Sequence, residues 1–159
     1  MTTIKPMSEA QLAAALEVQG KADAEALQLA APEMDGTGLN GAAEAIPMFS
    51  AAVKVKNMLE RPAGFVCISD AGRVVRLLQP YDSTIYTQQP EMLPAQWGFA
   101  WSKDPAHARP FIALSTSPYN IDEVCSWGDS IYASTINGNV WSPADYPQGW
   151  RKVDEINGR

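Results

Sequence analysis

At 159 residues, 46% hydrophobic and 19% charged, the chain is long enough for one ordinary domain or two very small ones, and its composition argues against disorder. Eighteen acidic side chains against twelve basic ones leave a formal net charge of −6, which argues against nucleic acid as a partner, since that binding needs clustered Lys and Arg. No apolar run approaches the roughly 20 residues of a membrane span, and the opening MTTIKPMSEA lacks the apolar core of a signal peptide, so synthesis in a reducing cytoplasm with no membrane partner is expected.

In chain order, the first expected element is a helix over residues 8–30. Ser8 followed by Gln11 fits a capping box, and the stretch is rich in Ala, Leu, Glu and Gln. Leu12, Leu16, Ala26, Leu27 and Ala30 recur at spacings that can share one face. That face is mostly alanine and shallow, so the helix either lies on its own domain or associates with helices of other copies. Pro32 and the run Met34–Gly41 (MDGTGLNG) are expected to end it in a glycine-rich loop, the best linker in the chain. A short helical turn follows through Ala42–Ala45 and stops before Pro47. Val53–Leu59 shows neither period clearly and reads as a strand or an entry loop. Gly64–Ile68 and Arg73–Leu78 read as strands joined by a turn at Ser69–Gly72, a hairpin. Further on, Gly98–Phe111 is a connector, with Asp104 and Pro105 placed as N-cap and first residue of a helical turn and Trp101 and Phe111 as anchors. Phe111–Leu114 looks like a strand, and Ser115–Pro118 like a turn.

The stretch Gly72–Trp97 has a shorter counterpart in Ser130–Trp150, and an internal repeat governs how the rest is read. Each copy opens on a strand-like run, Arg73–Leu78 or Ser130–Ser134, and enters a polar turn with one aromatic, Tyr86 or Trp141. A proline follows, Pro90 or Pro143, and each copy closes on Pro-x-x-Trp, Pro94–Trp97 or Pro147–Trp150. A Val-Cys pair precedes both, Val66-Cys67 and Val124-Cys125. The two cysteines therefore hold equivalent places in different modules. They are expected to be separate buried thiols rather than a disulfide. The fold class that follows is mainly β, α+β overall: an N-terminal helix, then two small antiparallel β modules. The expected units are 1–46 (helix and linker), 47–114 (first module with connector) and 115–159 (second module).

Leu78-Gln79-Pro80 and Pro94-Ala95-Gln96-Trp97 in the first copy, with Tyr132, Trp141-Ser142-Pro143 and Trp150 in the second, resemble the small chitin-binding modules of bacterial chitinases, carbohydrate-binding families 5 and 12. Paired units of this kind behind an Ala-rich start and a segment like Ala30–Thr37 resemble small tail-associated proteins of phages and prophages. The resemblance implies that Trp97 and Trp150 plug the cores. It also implies that Trp141, and Tyr86 less closely, are sugar-facing platforms, because the apolar face of a pyranose stacks on an exposed ring; read from its polar turn alone, Trp141 is either such a platform or a subunit contact. Asn137 and Asn139 in the second turn, with Asp82 and Ser83 in the first, are candidates for the polar contacts. The chain departs from the family at Val75, where an aromatic is usual, and the second copy lacks Leu-Gln-Pro.

Catalysis finds little support. His107 is the sole histidine, with Asp104 and Arg109 beside it as helix-end charges, and no Cys or Ser lies in a nucleophile motif. Metal-ligand spacing is absent, Asp122, Glu123, Asp129 and Asp145 form no evident acid–base pair, and no cofactor is expected. Trp127 and Tyr132 read as core or intermodule packing, and Tyr146 as either. The expected function is that of a non-enzymatic virion structural protein (tail fibre, spike or head fibre), partnered by itself, by other virion proteins and by host surface polysaccharide. The alternative is a stand-alone bacterial glycan-binding protein. Self-association, as a trimer, is expected to involve residues 8–30.

Overall fold

The computed structural model describes residues 8–153; residues 1–7 and 154–159, the far ends of the two outer units, lie outside the described residues, as do the side chains of Ala13 and Leu16. Helix α1 (Glu9–Ala30) starts with the expected box. The Ser8 hydroxyl accepts from the Gln11 amide at 3.1 Å, and the Gln11 side chain accepts from the Ser8 amide at 3.0 Å. Its expected single face is split. Leu27 is buried together with the following Ala31, whereas Leu12, Ala26 and Ala30 are exposed. The physical reason is that the body grips one edge of the helix near its C-terminus and leaves the rest free. There the Gln28 amide bonds both backbone groups of Val66, donating at 2.8 Å and accepting at 3.0 Å. The Arg76 guanidinium donates to the carbonyls of Ala31 and Met34, at 2.8 and 3.0 Å.

The glycine-rich segment is not a loop. Gly36–Gly41 forms helix α2, because Asp35 caps it by accepting from the Gly38 amide at 2.8 Å, and Leu39 and Asn40 are fully buried. Glycine is required at position 36 for closeness rather than flexibility: a Cβ there would collide with the Trp101 carbonyl. The turn at Ala43–Ala45 forms as expected. Over Val53–Leu59, where a strand or entry loop was expected, helix α3 (Phe49–Val55) ends and Met58–Glu60 forms a tight turn, with Phe49, Ala52 and Met58 driven into the core.

Two sheets follow, as the repeat requires. The first has the order β1 (Val66–Ile68), β2 (Val74–Leu77), β3 (Trp97–Phe99), all antiparallel. The second has the order β4 (Arg109–Pro110), β5 (Val124–Trp127), β6 (Ser130–Ser134), β7 (Trp150–Val153). Its β5–β7 portion repeats the first sheet in register. Cys67 pairs with Val75 as Cys125 pairs with Tyr132, and Leu77 pairs with Trp97 as Ser134 pairs with Trp150. The arrangement is α+β, 35% helical and 19% strand, so helix exceeds the share that two β modules alone suggest. The expected strand at Phe111–Leu114 lies two residues earlier. Arg109–Pro110 pairs in parallel with Cys125–Ser126, so the end of the connector joins the second sheet rather than staying with the first module.

One core runs through both modules. Trp97 is fully buried, edge-on to Phe49 at 5.8 Å and to Tyr81 at 6.1 Å, and its indole N–H donates to the Tyr81 hydroxyl at 3.0 Å. A file of rings then crosses to the second sheet: Phe99 on Trp101, Trp101 on Tyr119 with centroids 4.3 Å apart, Tyr119 on Phe111, and both of the latter edge-on to Trp150. Two buried polar groups tie the modules. Arg73 pairs with Glu91 at 2.9 Å and donates to the Pro110 and Phe111 carbonyls, 3.0 and 3.3 Å away. Asn40 donates to the Ala100 carbonyl and accepts from the Arg109 guanidinium at 3.0 Å, so Arg109 is an intermodule tie and not a helix-end charge.

Candidate functional site

The long turn between β6 and β7 carries the site. Asn139 is wholly buried, and its backbone pairs with Tyr119 in both directions, at 2.8 and 2.9 Å. Its amide donates to the Ser134 hydroxyl and the Gly149 carbonyl, at 3.0 and 2.9 Å, and its side-chain oxygen accepts from the Trp141 amide at 3.2 Å. Asn139 is therefore no sugar contact, contrary to the expectation. With every polar atom of its side chain engaged, it holds the turn that presents Trp141.

Trp141 is fixed from the other side as well. Its carbonyl accepts from the Trp150 indole at 2.8 Å, so the core plug of the module clamps the residue that the resemblance names as the platform. The Trp141 ring stands 49% exposed. Tyr146, half-buried, meets it edge-on with centroids 5.6 Å apart. Its position depends on Gly149, because a Cβ there would lie 2.6 Å from the Tyr146 ring. Asp145 is brought alongside by a turn in which its amide donates to the Ser142 hydroxyl at 3.0 Å. Ile136, Trp141, Asp145 and Tyr146 line an open recess of about 500 Å³, within the range of small-molecule sites. In the sequence, Tyr146 by itself carries no mark of a site and Asp145 is one of several scattered carboxylates. The signal for both was their place between Pro143 and the closing Pro-x-x-Trp.

The first-module candidates lie apart from this recess. Tyr86 is 53% exposed in a turn whose amide donates to the Asp82 carbonyl, and no aromatic ring among the described residues packs on it. The Asp82 carboxylate accepts from Asn57 at 3.0 Å and from the Thr84 amide and hydroxyl, at 3.0 and 2.6 Å. The bonds from Thr84 and then Asn57 hold its carboxyl below the ordinary carboxylate range. Ser83 accepts from the Met58 amide. Both residues therefore fasten the turn to the segment behind α3 and are spent on structure. Asn137 is exposed, but its side-chain oxygen accepts from the Ile121 amide at 3.1 Å, which anchors a neighbouring loop.

The remaining chemistry-bearing groups lie outside this turn. Cys67 and Cys125 are free and buried; burial raises both thiols, that of Cys125 to about 12. His107 lies 3.5 Å from Asp104, which caps the turn at Pro105–His107 as expected. Trp127 is 40% exposed and edge-on to Phe111, so it belongs to the packing without being deep core. Among the described residues, no three His, Cys, Asp or Glu side chains are placed to hold a metal, and no helix is long and apolar enough to cross a membrane. No family model, no curated protein and no solved structure matches the chain.

Proposed function

We propose that the chain is a structural virion protein of phage type whose second module presents a glycan-binding recess at Trp141, with Tyr146 and Asp145 as its partners. The observation that carries the reading is the double clamp on Trp141. A buried asparagine holds its amide, the closing tryptophan holds its carbonyl, and the ring is left half in solvent beside a second ring. Rigid aromatic faces set at an angle suit the apolar face of a pyranose, and Asp145 offers acceptors to its hydroxyls. Preorganisation of this kind lowers the ordering cost of a weak, shallow contact.

The virion half of the reading is supported by arrangement: two modules fused into one core behind a helix that is exposed along most of its length. Its partners would be further copies of itself, other virion proteins and host surface polysaccharide. The test is a pull-down on insoluble chitin and peptidoglycan, with soluble oligosaccharides as competitors. The parent chain is expected to bind, and Trp141→Ala to lose binding with an unchanged near-ultraviolet signal. Equal retention of the parent and Trp141→Ala would remove the recess from the account.

A further inference from the structure

We propose that the outward face of α1 is the seam of a parallel, in-register bundle formed with further copies of this chain. This deepens the self-association part of the reading above and does not depend on glycan recognition. Leu12, Ala15, Gln19, Ala22, Ala26 and Leu29 follow one another at spacings of 3, 4, 3, 4 and 3, the a and d positions of a heptad. All six are exposed, Leu12 by 50% and Leu29 by 85%. The body holds the far side of the helix, through Leu27, Gln28 and the following Ala31, so it does not compete for this strip.

Two further observations select the occupant. A chain of net charge −6 repels its own copies, yet every charged residue of α1 lies off the strip, which offers identical helices an uncharged line of approach. Those side chains of Ser8–Asp23 that the structure describes are all exposed, and a helix with so little packing is marginal in water unless something covers it. Gln19 then sets the direction. In a parallel bundle it shares a layer with its own copies, and the amides can bond one another. In an antiparallel pair it would face Ala22 and be buried without a partner. Val18, 69% exposed beside the strip, widens the apolar surface beyond a strict a/d seam, which favours three strands over two.

The test is the mass of the full chain in solution by sedimentation, read together with cross-linking. Three times the chain mass is expected. Ala15→Glu with Ala22→Glu should reduce it to the single-chain mass with the tryptophan signal unchanged, and Ala14→Glu with Lys21→Glu, off the seam, should leave it threefold. Gln19→Cys is expected to form an interchain disulfide on oxidation. A single-chain mass for the parent, or an oligomer that survives Ala15→Glu with Ala22→Glu, overturns the seam. A twofold mass overturns the third strand. Cross-linking that needs Gln19→Cys mixed with Ala22→Cys overturns the parallel order. Glycan binding is read separately, so failure of the recess and failure of the seam are distinguishable.

Discussion

The two modules share a strand plan and use their closing tryptophans differently. In the first, the Trp97 indole N–H ends on the hydroxyl of buried Tyr81, and Phe49 from α3 closes the pocket, so the polar atom is consumed inside. In the second, the Trp150 indole reaches outward to the Trp141 carbonyl, and among the described residues no helix corresponding to α3 covers that end. The strands pair in equivalent registers, so the difference lies in what surrounds each copy rather than in the strands themselves.

The largest effects should come from breaking what the copies share. Trp97→Ala is expected to cost about 3–5 kcal/mol, the range for emptying a buried aromatic site. Because one core spans both sheets, fluorescence of the second module should be lost at the same denaturant concentration as circular dichroism of the first. Separate transitions would show two independent modules. Arg73→Met should come next, at about 2–4 kcal/mol, because it leaves the largely enclosed Glu91 with the Ser69 hydroxyl but no cation and frees the Pro110 and Phe111 carbonyls. Adding Glu91→Gln should recover part of that loss in a double-mutant cycle; strict additivity would mean the pair is not coupled.

A smaller change sharpens the contrast between the plugs. Tyr81→Phe strands the Trp97 indole N–H and should cost about 1–3 kcal/mol. Trp141→Ala should cost less, because the Trp150 indole bonds a backbone carbonyl that alanine retains. Chemical denaturation of the two variants side by side gives the ranking, and the reverse order would contradict it.

The smallest effect is in pH dependence, where the modules differ in sign. Asp82 is held below its ordinary range, so its contribution is present above the unfolded carboxylate pKa and is lost as pH falls through the depressed folded value. Glu123, in the second module, is raised by burial, so the fold favours its protonated form and stability declines as pH rises through the raised value. Asp82→Asn should flatten the loss of denaturant midpoint as pH falls below about 4, and Glu123→Gln should flatten the decline as pH rises above about 4.5. Parallel pH profiles for both variants and the parent would argue that neither carboxylate is coupled to folding.

Much of this was legible because it is local. The Ser8–Gln11 box, the turn at Ala43–Ala45, the Asp104 cap, the hairpin at Ser69–Gly72 and β6 at Ser130–Ser134 are all set by residues within a few positions of one another. The equivalence of the Val-Cys pairs placed the two thiols apart, and both are free and buried. What was missed depends on distant partners. Gly36–Gly41 is helical because Leu39 and Asn40 find burial against residues sixty positions away. Phe49–Val55 is helical because its apolar side meets Trp97. Asn139 looked like a turn asparagine free to meet a ligand, and its enclosure between Tyr119, Ser134 and Gly149 follows only from the folded turn. Of the candidate site, Trp141 was named through the resemblance, and its neighbours Tyr146 and Asp145 were not, because their place between Pro143 and the closing Pro-x-x-Trp does not by itself say that they converge on it.

The chain has five tryptophans, and their indole N–H signals report on the recess and the core in one experiment. Titration of the isotope-labelled protein with a chitin or peptidoglycan oligosaccharide, followed by nuclear magnetic resonance, is the most direct test of the central claim. The account predicts that the Trp141 indole signal shifts most and that of Trp150, bonded to the Trp141 carbonyl, follows, while Trp97 and Trp101 stay in place. Saturable binding that moves Trp127 or a first-module signal and leaves Trp141 unmoved would contradict it.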